Sequence, residues 1–162
     1  MPEAVSVALL MGSKSDWDVM RHAVETLREF GVSCDVRVLS AHRTPQETAD
    51  YVRAADAAGT RVFIAAAGMA AHLAGAVAAH TVRPVLGVPL AASELNGLDA
   101  LLATVQMPPG LPVGTLAIGK AGAINAALLA VSILGNERPG LHEALRERRR
   151  ARAAQMLAEK LP

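Results

Sequence analysis

The sequence predicts an α/β fold with a central parallel sheet and helices on both faces. Short apolar segments alternate with helical segments four or five times, and the first is apolar along its whole length, as a strand buried on both faces requires. Right-handed crossovers between parallel strands account for this order. At 162 residues the chain has the length of one ordinary domain, so we expect a single domain over residues 1–162.

The first half of the chain is predicted to form three strands and two helices. The strands fall at residues 5–11, 32–39 and 62–66, and the helices at residues 17–30 and 44 to about 58. Gly31 and Gly59 follow these helices as C-terminal caps. The second helix has the most clearly specified start, because Thr44, Pro45 and Glu47 supply an N-cap, a proline at the first helical position and a capping-box glutamate.

The second half continues the alternation. We expect an alanine-rich helix from about residue 70, strands at 85–88 and 113–118, a helix at 95–105, and a buried helix at 121–134. Residues 141–161 are predicted to form an amphipathic helix with an arginine-rich middle. The arginines fit either a nucleic-acid or membrane-surface patch or a solvated helix whose apolar side packs on the sheet or a neighbouring subunit. The second interpretation is favoured because no aromatic residues are interleaved.

Composition limits the classes of protein that fit. With 52% hydrophobic and 19% charged residues, the chain is not intrinsically disordered. A net charge of +1 gives no overall positive electrostatic field that would attract nucleic acid. An anionic ligand therefore needs a local binding site. Aromatic residues make up 2% whereas 33 residues are alanine, which predicts close packing through small side chains and burial of apolar surface in a homo-oligomer.

Cysteine use and targeting signals indicate a cytoplasmic protein. Cys34 has no partner for an intramolecular disulfide, and no Cys/His pair has zinc-ligand spacing. The first residues lack the basic region of a secretory signal. Residues 62–82 carry no charge and are long enough for a membrane span, but weakly hydrophobic alanine dominates them and they contain His72 and His80, so we expect no membrane insertion.

Ligands of open parallel sheets bind at the carboxyl ends of the strands, so the residues that follow each strand are the candidates for chemistry. After the first strand, Ser13 and Asp16 open a helix whose N–H groups suit a phosphate. The alternative is that Ser13 or Ser15 only caps this helix and Asp16 only complements its dipole. Neither a Walker loop nor a dinucleotide fingerprint is present, and the two interpretations stay open.

The next two strands end in histidine-containing segments. Arg43 offers a fork for phosphate and His42 beside it is a candidate acid/base, although a loop histidine is often only solvated. Gly68 is followed by small residues that let a ligand approach the backbone, and His72 is either catalytic or partly buried and satisfied. His22, His80 and His142 are assigned no chemistry. No nucleophile elbow or carboxylate cluster is present, so covalent and metal-assisted mechanisms are disfavoured.

Five motifs in order resemble the N5-carboxyaminoimidazole ribonucleotide mutase family of bacterial purine biosynthesis, the class I PurE family. They cover most of the chain, from about residue 5 to 145. The motifs are Met11-Gly12-Ser13-Lys14-Ser15-Asp16-Trp17, Ser40-Ala41-His42-Arg43-Thr44-Pro45, Ala70-Ala71-His72-Leu73, Gly87-Val88-Pro89, and Val105-Gln106-Met107-Pro108 with Ala117-Ile118-Gly119.

This resemblance implies a flavodoxin-like three-layer α/β/α sandwich with an extended C-terminal helix, assembled as a homo-octamer. In such an assembly neighbouring subunits complete each active site, and the C-terminal helix, at about residues 139–161, packs on other chains. The implied enzyme is an isomerase that uses no metal, ATP or organic cofactor. It moves a carboxylate from the exocyclic nitrogen of its ribonucleotide to the imidazole ring carbon by decarboxylation and recarboxylation.

The family's motifs assign roles to the matching residues of this chain. Ser13 and Arg43 bind the phosphate, Asp16 binds the ribose hydroxyls, His42 shuttles the proton and His72 shapes the carbon dioxide pocket. The same motifs assign substrate contacts to a further set of residues: Ser40, Gly68, Ala70 and Leu73.

Two alternatives and two departures accompany the resemblance. A related branch carboxylates aminoimidazole ribonucleotide directly, but its third-strand motif reads Gly-Arg-Ser-Asn-Gly-Leu, unlike residues 68–73 here. A binding module without catalysis is the other alternative. Met69 replaces a glycine of the family's Gly-Gly-Ala-Ala-His-Leu-Pro-Gly pattern, and Ala74 replaces its proline. If the glycine requires a positive φ, Met69 carries a conformational cost or narrows the pocket.

Overall fold

The computed structural model describes residues 5–161. Strands and helices alternate along this part of the chain. The strands within these residues are β1 Val7–Met11, β2 Cys34–Val38, β3 Val62–Gly68, β4 Val85–Leu90 and β5 Gly114–Thr115. The helices are α1 Trp17–Glu29, α2 Pro45–Ala57, α3 Leu73–Ala78, α4 Leu98–Val105, α5 Lys120–Gly135 and α6 Pro139–Ala158, with a 3₁₀ turn at Lys14–Asp16 before α1.

The five strands form one parallel sheet in the order β2-β1-β3-β4-β5. β1 lies between β2 and β3, and its central residue Leu9 pairs with Val36 on one side and Ile64 on the other. This is the strand order of flavodoxin-like doubly wound sheets, so the predicted fold class is confirmed.

Helices cover both faces of the sheet and create two apolar cores. On one face, Leu9 and Ile64 pack with Met20 of α1 and Ala127 of α5. On the other face, Leu10 and Phe63 of the sheet pack with residues of α2 and α3, which include Val52, Leu73 and Val77. Every residue of β1 is buried, as its uninterrupted apolar sequence predicts.

Small residues allow the close helix packing that the alanine-rich composition predicts. The alanines of α5 that face α1 and the sheet are fully buried: Ala123, Ala126, Ala127 and Ala130. A Cβ atom on Gly135 of α5 would overlap the ring of His142 on α6, so the His142 side chain packs directly on the α5 backbone.

The helix ends follow the predicted signals with one exception. Gly31 and Gly59 adopt positive φ angles of 64° and 101° just beyond α1 and α2, which confirms their role as C-terminal caps. The α2 helix begins at Pro45 as predicted, but the capping box at Thr44 is wrong because the Thr44 side chain makes no cap hydrogen bond. Its hydroxyl bonds the backbone of Ser40 instead.

Three elements are shorter than the sequence predicts, each for a local backbone reason. The helix expected from residue 70 begins at Leu73, because Met69 is left-handed and tight turns bond the Ala71 and His72 N–H groups to carbonyls two residues earlier. The α4 helix begins at Leu98, after left-handed Asn96 and Gly97. The β5 strand has only two residues. Beyond it, the N–H groups of Leu116 and Gly119 donate hydrogen bonds to carbonyls of β4, but these residues are not paired in the sheet.

The amphipathic C-terminal helix is present as α6, but little of it is covered within one chain. Leu145 is its one buried residue, and Leu157 near its end is 87% exposed. Arg146 and Arg150 pair with glutamates of the same helix, and Arg148 pairs with Glu29 of α1. Residues 62–82 fold as β3 and α3, and none of the described helices is long and apolar enough to cross a membrane.

Candidate active site

A cleft of about 550 Å³ opens at the carboxyl ends of the strands, where the loops after β1, β2 and β3 converge. All nine site residues expected from the sequence line it: Ser13, Asp16, Ser40, His42, Arg43, Gly68, Ala70, His72 and Leu73. Because the strands are parallel, segments as far apart in the chain as Gly12 and Ala92 reach the same edge of the sheet.

The turn after β1 forms its own network of hydrogen bonds. The Asp16 carboxylate accepts from the Ser13 N–H at 2.9 Å, and the Ser13 hydroxyl oxygen accepts from the Ser15 N–H at 3.3 Å. Together they form a capping box at the 3₁₀ turn that leads into α1. Ser13 and Asp16 therefore cap this turn, and the same contacts hold the two side chains against the cleft, where a ligand can still reach them.

The fold perturbs the ionisation of Asp16 at the cleft. Partial burial raises the pKa of its carboxyl, while backbone hydrogen bonds from Ser13 and Gly12 and the charge of Arg43 act in the opposite direction. The half-buried carboxylate therefore has a cation and two N–H groups near it, which suits an acceptor for hydroxyl groups of a ligand.

The loop after β2 is fixed by Thr44, which explains why this residue does not cap α2. The Thr44 hydroxyl accepts from the Ser40 N–H at 2.9 Å and donates to the Ser40 carbonyl at 3.1 Å. Ser40 in turn accepts from the Arg43 N–H at 3.2 Å, and Arg43 Nη2 donates to the Gly12 carbonyl at 2.6 Å. The guanidinium is thus held across the cleft beside the β1 turn, with further donors free for an anion.

His42 and His72 contact each other although 30 residues separate them in the chain. The distance from His42 Nε2 to His72 Nδ1 is 2.7 Å, and the rings are nearly perpendicular, with an interplanar angle of 87°. Both side chains are exposed to the cleft. Sequence reasoning marked each histidine as a candidate but gave no signal that the two would form a pair.

Small residues form the wall after β3. A Cβ atom at Gly68 would overlap the Cβ of Ala92, so only glycine permits this contact. Ala92 follows β4 and lines the cleft, although no sequence motif had marked it as a candidate. The rule that ligands meet the carboxyl ends of parallel strands would have found it, because β4 ends at the same edge.

The two departures from the family pattern differ in consequence. Met69 has a φ of 56° and is 58% exposed at the cleft, so a position that favours glycine carries a long side chain. Ala74 is buried in the first turn of α3, where proline and alanine are both tolerated because no helical N–H bond is lost.

The remaining histidines and Cys34 lie outside the cleft. His22 contacts Glu25, His80 contacts Arg53, and His142 bonds the Ser132 carbonyl. Burial raises the pKa of the Cys34 thiol to about 12, which disfavours a reactive thiolate. Among residues 5–161, no group of three His, Cys, Asp or Glu side chains is placed to hold a metal ion.

Comparisons with known proteins identify one family of relatives. Residues 6–155 match the sequence model of the AIR carboxylase family. The chain is 55% identical over 141 residues to the N5-carboxyaminoimidazole ribonucleotide mutase of Pseudomonas aeruginosa, covering 87% of this chain and 86% of that protein. It is 51% identical over 151 residues to the enzyme of that name from Escherichia coli, covering 93% of this chain and 89% of that protein.

A solved structure gives the same fold. The structure titled as Treponema denticola PurE superimposes with a TM-score of 0.85 at 24% sequence identity, covering 93% of each chain. At this identity the likeness concerns the fold, and it agrees with the sheet order described above.

Replacing Met69 by glycine tests the conformational cost at this position. The left-handed backbone penalises a side chain by about 1–2 kcal/mol, and the greater freedom of glycine in the unfolded chain offsets about half of this, so we expect Met69→Gly to stabilise the fold by about 0.5–1 kcal/mol. Urea denaturation at one protein concentration measures the change. Met69→Ala keeps the Cβ atom, and an equal gain in that variant would contradict the explanation.

Replacing Asp16 by asparagine tests the effect of burial on its carboxyl. The pKa is higher in the folded than in the unfolded chain, so the ionised group destabilises the fold as the pH rises above its ordinary value of 3.8. We therefore expect the stability of Asp16→Asn relative to the parent protein to increase with pH in denaturation experiments across this range. Asp18→Asn controls for loss of one negative charge, and a difference that shrinks with rising pH would be inconsistent with this effect.

Proposed function

The chain belongs to the AIR carboxylase family, and we propose that it acts in purine biosynthesis as an N5-carboxyaminoimidazole ribonucleotide mutase, the activity named for its curated relatives. The product is 4-carboxy-5-aminoimidazole ribonucleotide. One observation carries the proposal: the cleft gathers an anion-binding guanidinium, a polar turn and an imidazole around an apolar wall of small residues.

The phosphate and ribose of the substrate are assigned to the polar side of the cleft. Arg43 and the hydroxyls of Ser13 and Ser40 bind the phosphate, near the positive end of α1. Asp16 accepts hydrogen bonds from the ribose hydroxyls. The support is geometric, because Arg43 is already held beside the turn by its bonds to Gly12 and Ser40.

The reaction breaks one bond and forms another, with one proton transferred. The bond between the exocyclic nitrogen and the carboxylate carbon breaks, which releases carbon dioxide, and the nitrogen takes up a proton. The neighbouring ring carbon then attacks carbon dioxide, and the proton on this carbon is removed to restore the aromatic ring. Atoms and charge balance without an oxidant or reductant.

The apolar wall has the task of retaining carbon dioxide. Gly68, Ala70 and Leu73 line this side of the cleft, with Ala67 and Ala92 next to them. A pocket of small apolar groups keeps the released molecule beside the ring carbon at a high effective concentration. His72 borders the same wall.

His42 is assigned the proton. It lies on a loop fixed by Thr44 and faces the cleft beside Arg43, so its position is defined before substrate binds. Imidazole takes up and releases protons near neutral pH, and a positioned group of this kind contributes about 10²- to 10⁴-fold to rate.

Direct carboxylation of aminoimidazole ribonucleotide is the second candidate, favoured by the description of the family model as AIR carboxylase. The two activities differ in whether free carbon dioxide or bicarbonate must be supplied. A third possibility, nucleotide binding without catalysis, is motivated by the exposed Met69 side chain in the cleft.

The assay that tests the proposal follows formation of the ring-carboxylated product from freshly made N5-carboxyaminoimidazole ribonucleotide in bicarbonate-free buffer. We expect conversion by the parent protein and a loss of about 10²-fold or more in His42→Asn, with nucleotide affinity by calorimetry changed little. His80→Asn is the matched control outside the cleft. Turnover only with aminoimidazole ribonucleotide and bicarbonate would establish the carboxylase, and unchanged turnover in His42→Asn would refute its role.

We also propose that the chain acts as one domain in a cytoplasmic homo-octamer whose subunits share active sites, with α6 packed on neighbouring chains. The support is apolar surface that one chain leaves uncovered. A groove of about 700 Å³ between α5 and α6 is lined by Ile124, Leu128 and Leu129, and Met156 and Leu157 stand exposed at the end of α6. The free thiol of Cys34 fits a reducing compartment.

Light scattering coupled to gel filtration tests the assembly. We expect a mass eight times that of one chain, and a smaller species with reduced turnover for Leu129→Glu, because a carboxylate in the groove prevents apolar contact. A monomer at all concentrations, with full activity, would contradict both the octamer and the shared sites.

A further inference from the structure

We propose that the Met69 side chain is a movable apolar cover at the rim of the cleft, which limits the escape of carbon dioxide during the reaction. The inference rests on the proposed function, in which carbon dioxide is released and then captured beside the imidazole ring. It adds a group on the solvent side of the cleft, which the small residues of the wall do not supply.

The cleft needs such a cover because it is wide and its apolar wall is short. Its volume of about 550 Å³ is far larger than a molecule of carbon dioxide. Ala67, Gly68 and Ala92 carry at most one methyl group each, so none of them reaches over a bound ring. Leu73 is longer, but it is 2% exposed and packs in the core that α2 and α3 share with the sheet. The wall alone therefore leaves its solvent side open.

Met69 is a long apolar side chain that lines the cleft and is not committed to a core. It lies between Gly68 and Ala70 in the wall, is 58% exposed, and belongs to neither apolar core of the described residues. A methionine side chain is unbranched and flexible, so it fits surfaces of irregular shape. The Met69 side chain can therefore move aside while a ribonucleotide enters and then lie against the bound ring.

The backbone at Met69 is held on both sides, which fixes where this side chain begins. Gly68 pairs with Leu90 in the sheet and contacts Ala92. On the other side, the Met69 carbonyl accepts a hydrogen bond from the Ala71 N–H at 2.9 Å. Between these contacts Met69 keeps a φ of 56°, a conformation that penalises every side chain. Strained residues of this kind cluster at functional sites, so a long exposed side chain at this position indicates a role for it.

A thioether suits contact with both partners in the cleft. Its sulfur is polarisable and makes favourable contacts with aromatic rings, and its terminal methyl group excludes water from the space beside the ring. Carbon dioxide from solvent enters through the same opening, so a cover that slows escape slows entry as well. Met69 therefore favours transfer of the carboxylate within one cleft over carboxylation by external carbon dioxide.

Three variants at position 69 test the cover. Met69→Gly removes it, Met69→Gln keeps its length but ends in a hydrated amide, and Met69→Leu keeps an apolar group of similar volume. Each converts N5-carboxyaminoimidazole ribonucleotide with carbon-13 in its carboxylate, in excess unlabelled bicarbonate, and mass spectrometry gives the ratio of unlabelled to labelled product. We expect this ratio to rise about tenfold in Met69→Gly and Met69→Gln, as loss of apolar contact in a pocket predicts, and to stay near the parent value in Met69→Leu.

Loss of structure does not explain such a leak, because glycine relieves the left-handed backbone and Met69→Gly is expected to be more stable than the parent protein. Met156→Leu is the matched control, since Met156 is also exposed but lies near the end of α6. An unchanged label ratio in Met69→Gly would overturn the proposal, and so would a leak in Met69→Leu as large as in Met69→Gly. Faster turnover in Met69→Gly with an unchanged ratio would show that the side chain obstructs the cleft instead of covering it.

Methyl signals of carbon-13-labelled methionine give a readout that does not require turnover. We expect the Met69 signal, assigned with Met69→Leu, to shift when aminoimidazole ribonucleotide binds, because the side chain then lies beside an aromatic ring, while the Met156 signal stays in place. Binding of the nucleotide by calorimetry with an unmoved Met69 signal would overturn the cover. Absence of mutase turnover in the parent protein would instead overturn the proposed function, while the methyl signal still tests the cover.

Discussion

Parallel pairing of β1 with β2 on one side and β3 on the other is the constraint on which the cleft depends. The register, in which Leu9 is opposite both Val36 and Ile64, brings the three strands to an end at the same edge. The turn after β1, the loop after β2 and the wall after β3 therefore meet, although they lie far apart along the chain. A strand in the opposite direction would send one of these groups to the far side of the sheet.

Each loop at this edge is then held by backbone bonds that leave its functional atoms exposed. Asp16 and Ser13 fix the first turn, and Thr44 fixes Ser40 at the cost of a cap bond to α2. Small residues have the complementary role, since the contact of Gly68 with Ala92 lets β3 and the chain after β4 close one wall. Hydrogen bonds link the polar part of the cleft and small residues pack closely in its apolar part, which suits the ribonucleotide binding and carbon dioxide retention that we propose.

Local patterns predicted most of the fold and the membership of the cleft, because both depend on short-range signals. The caps at Gly31 and Gly59, the start of α2 and the buried α5 follow from such signals. Features that depend on tertiary geometry had no such signal. They are the hydrogen bond between His42 and His72, the contact of Gly68 with Ala92 that leaves no room for a Cβ atom, and the left-handed backbone of Met69 before α3. The roles assigned to the cleft residues stay predictions.

Carbon isotope labelling tests whether carbon dioxide passes from the exocyclic nitrogen to the ring carbon inside one cleft, as we propose. The parent protein would convert N5-carboxyaminoimidazole ribonucleotide with carbon-13 in its carboxylate, in buffer with excess unlabelled bicarbonate, and mass spectrometry would measure the label in the product carboxylate. We expect most product molecules to retain the label. Product that carries only unlabelled carbon would contradict transfer within a closed pocket.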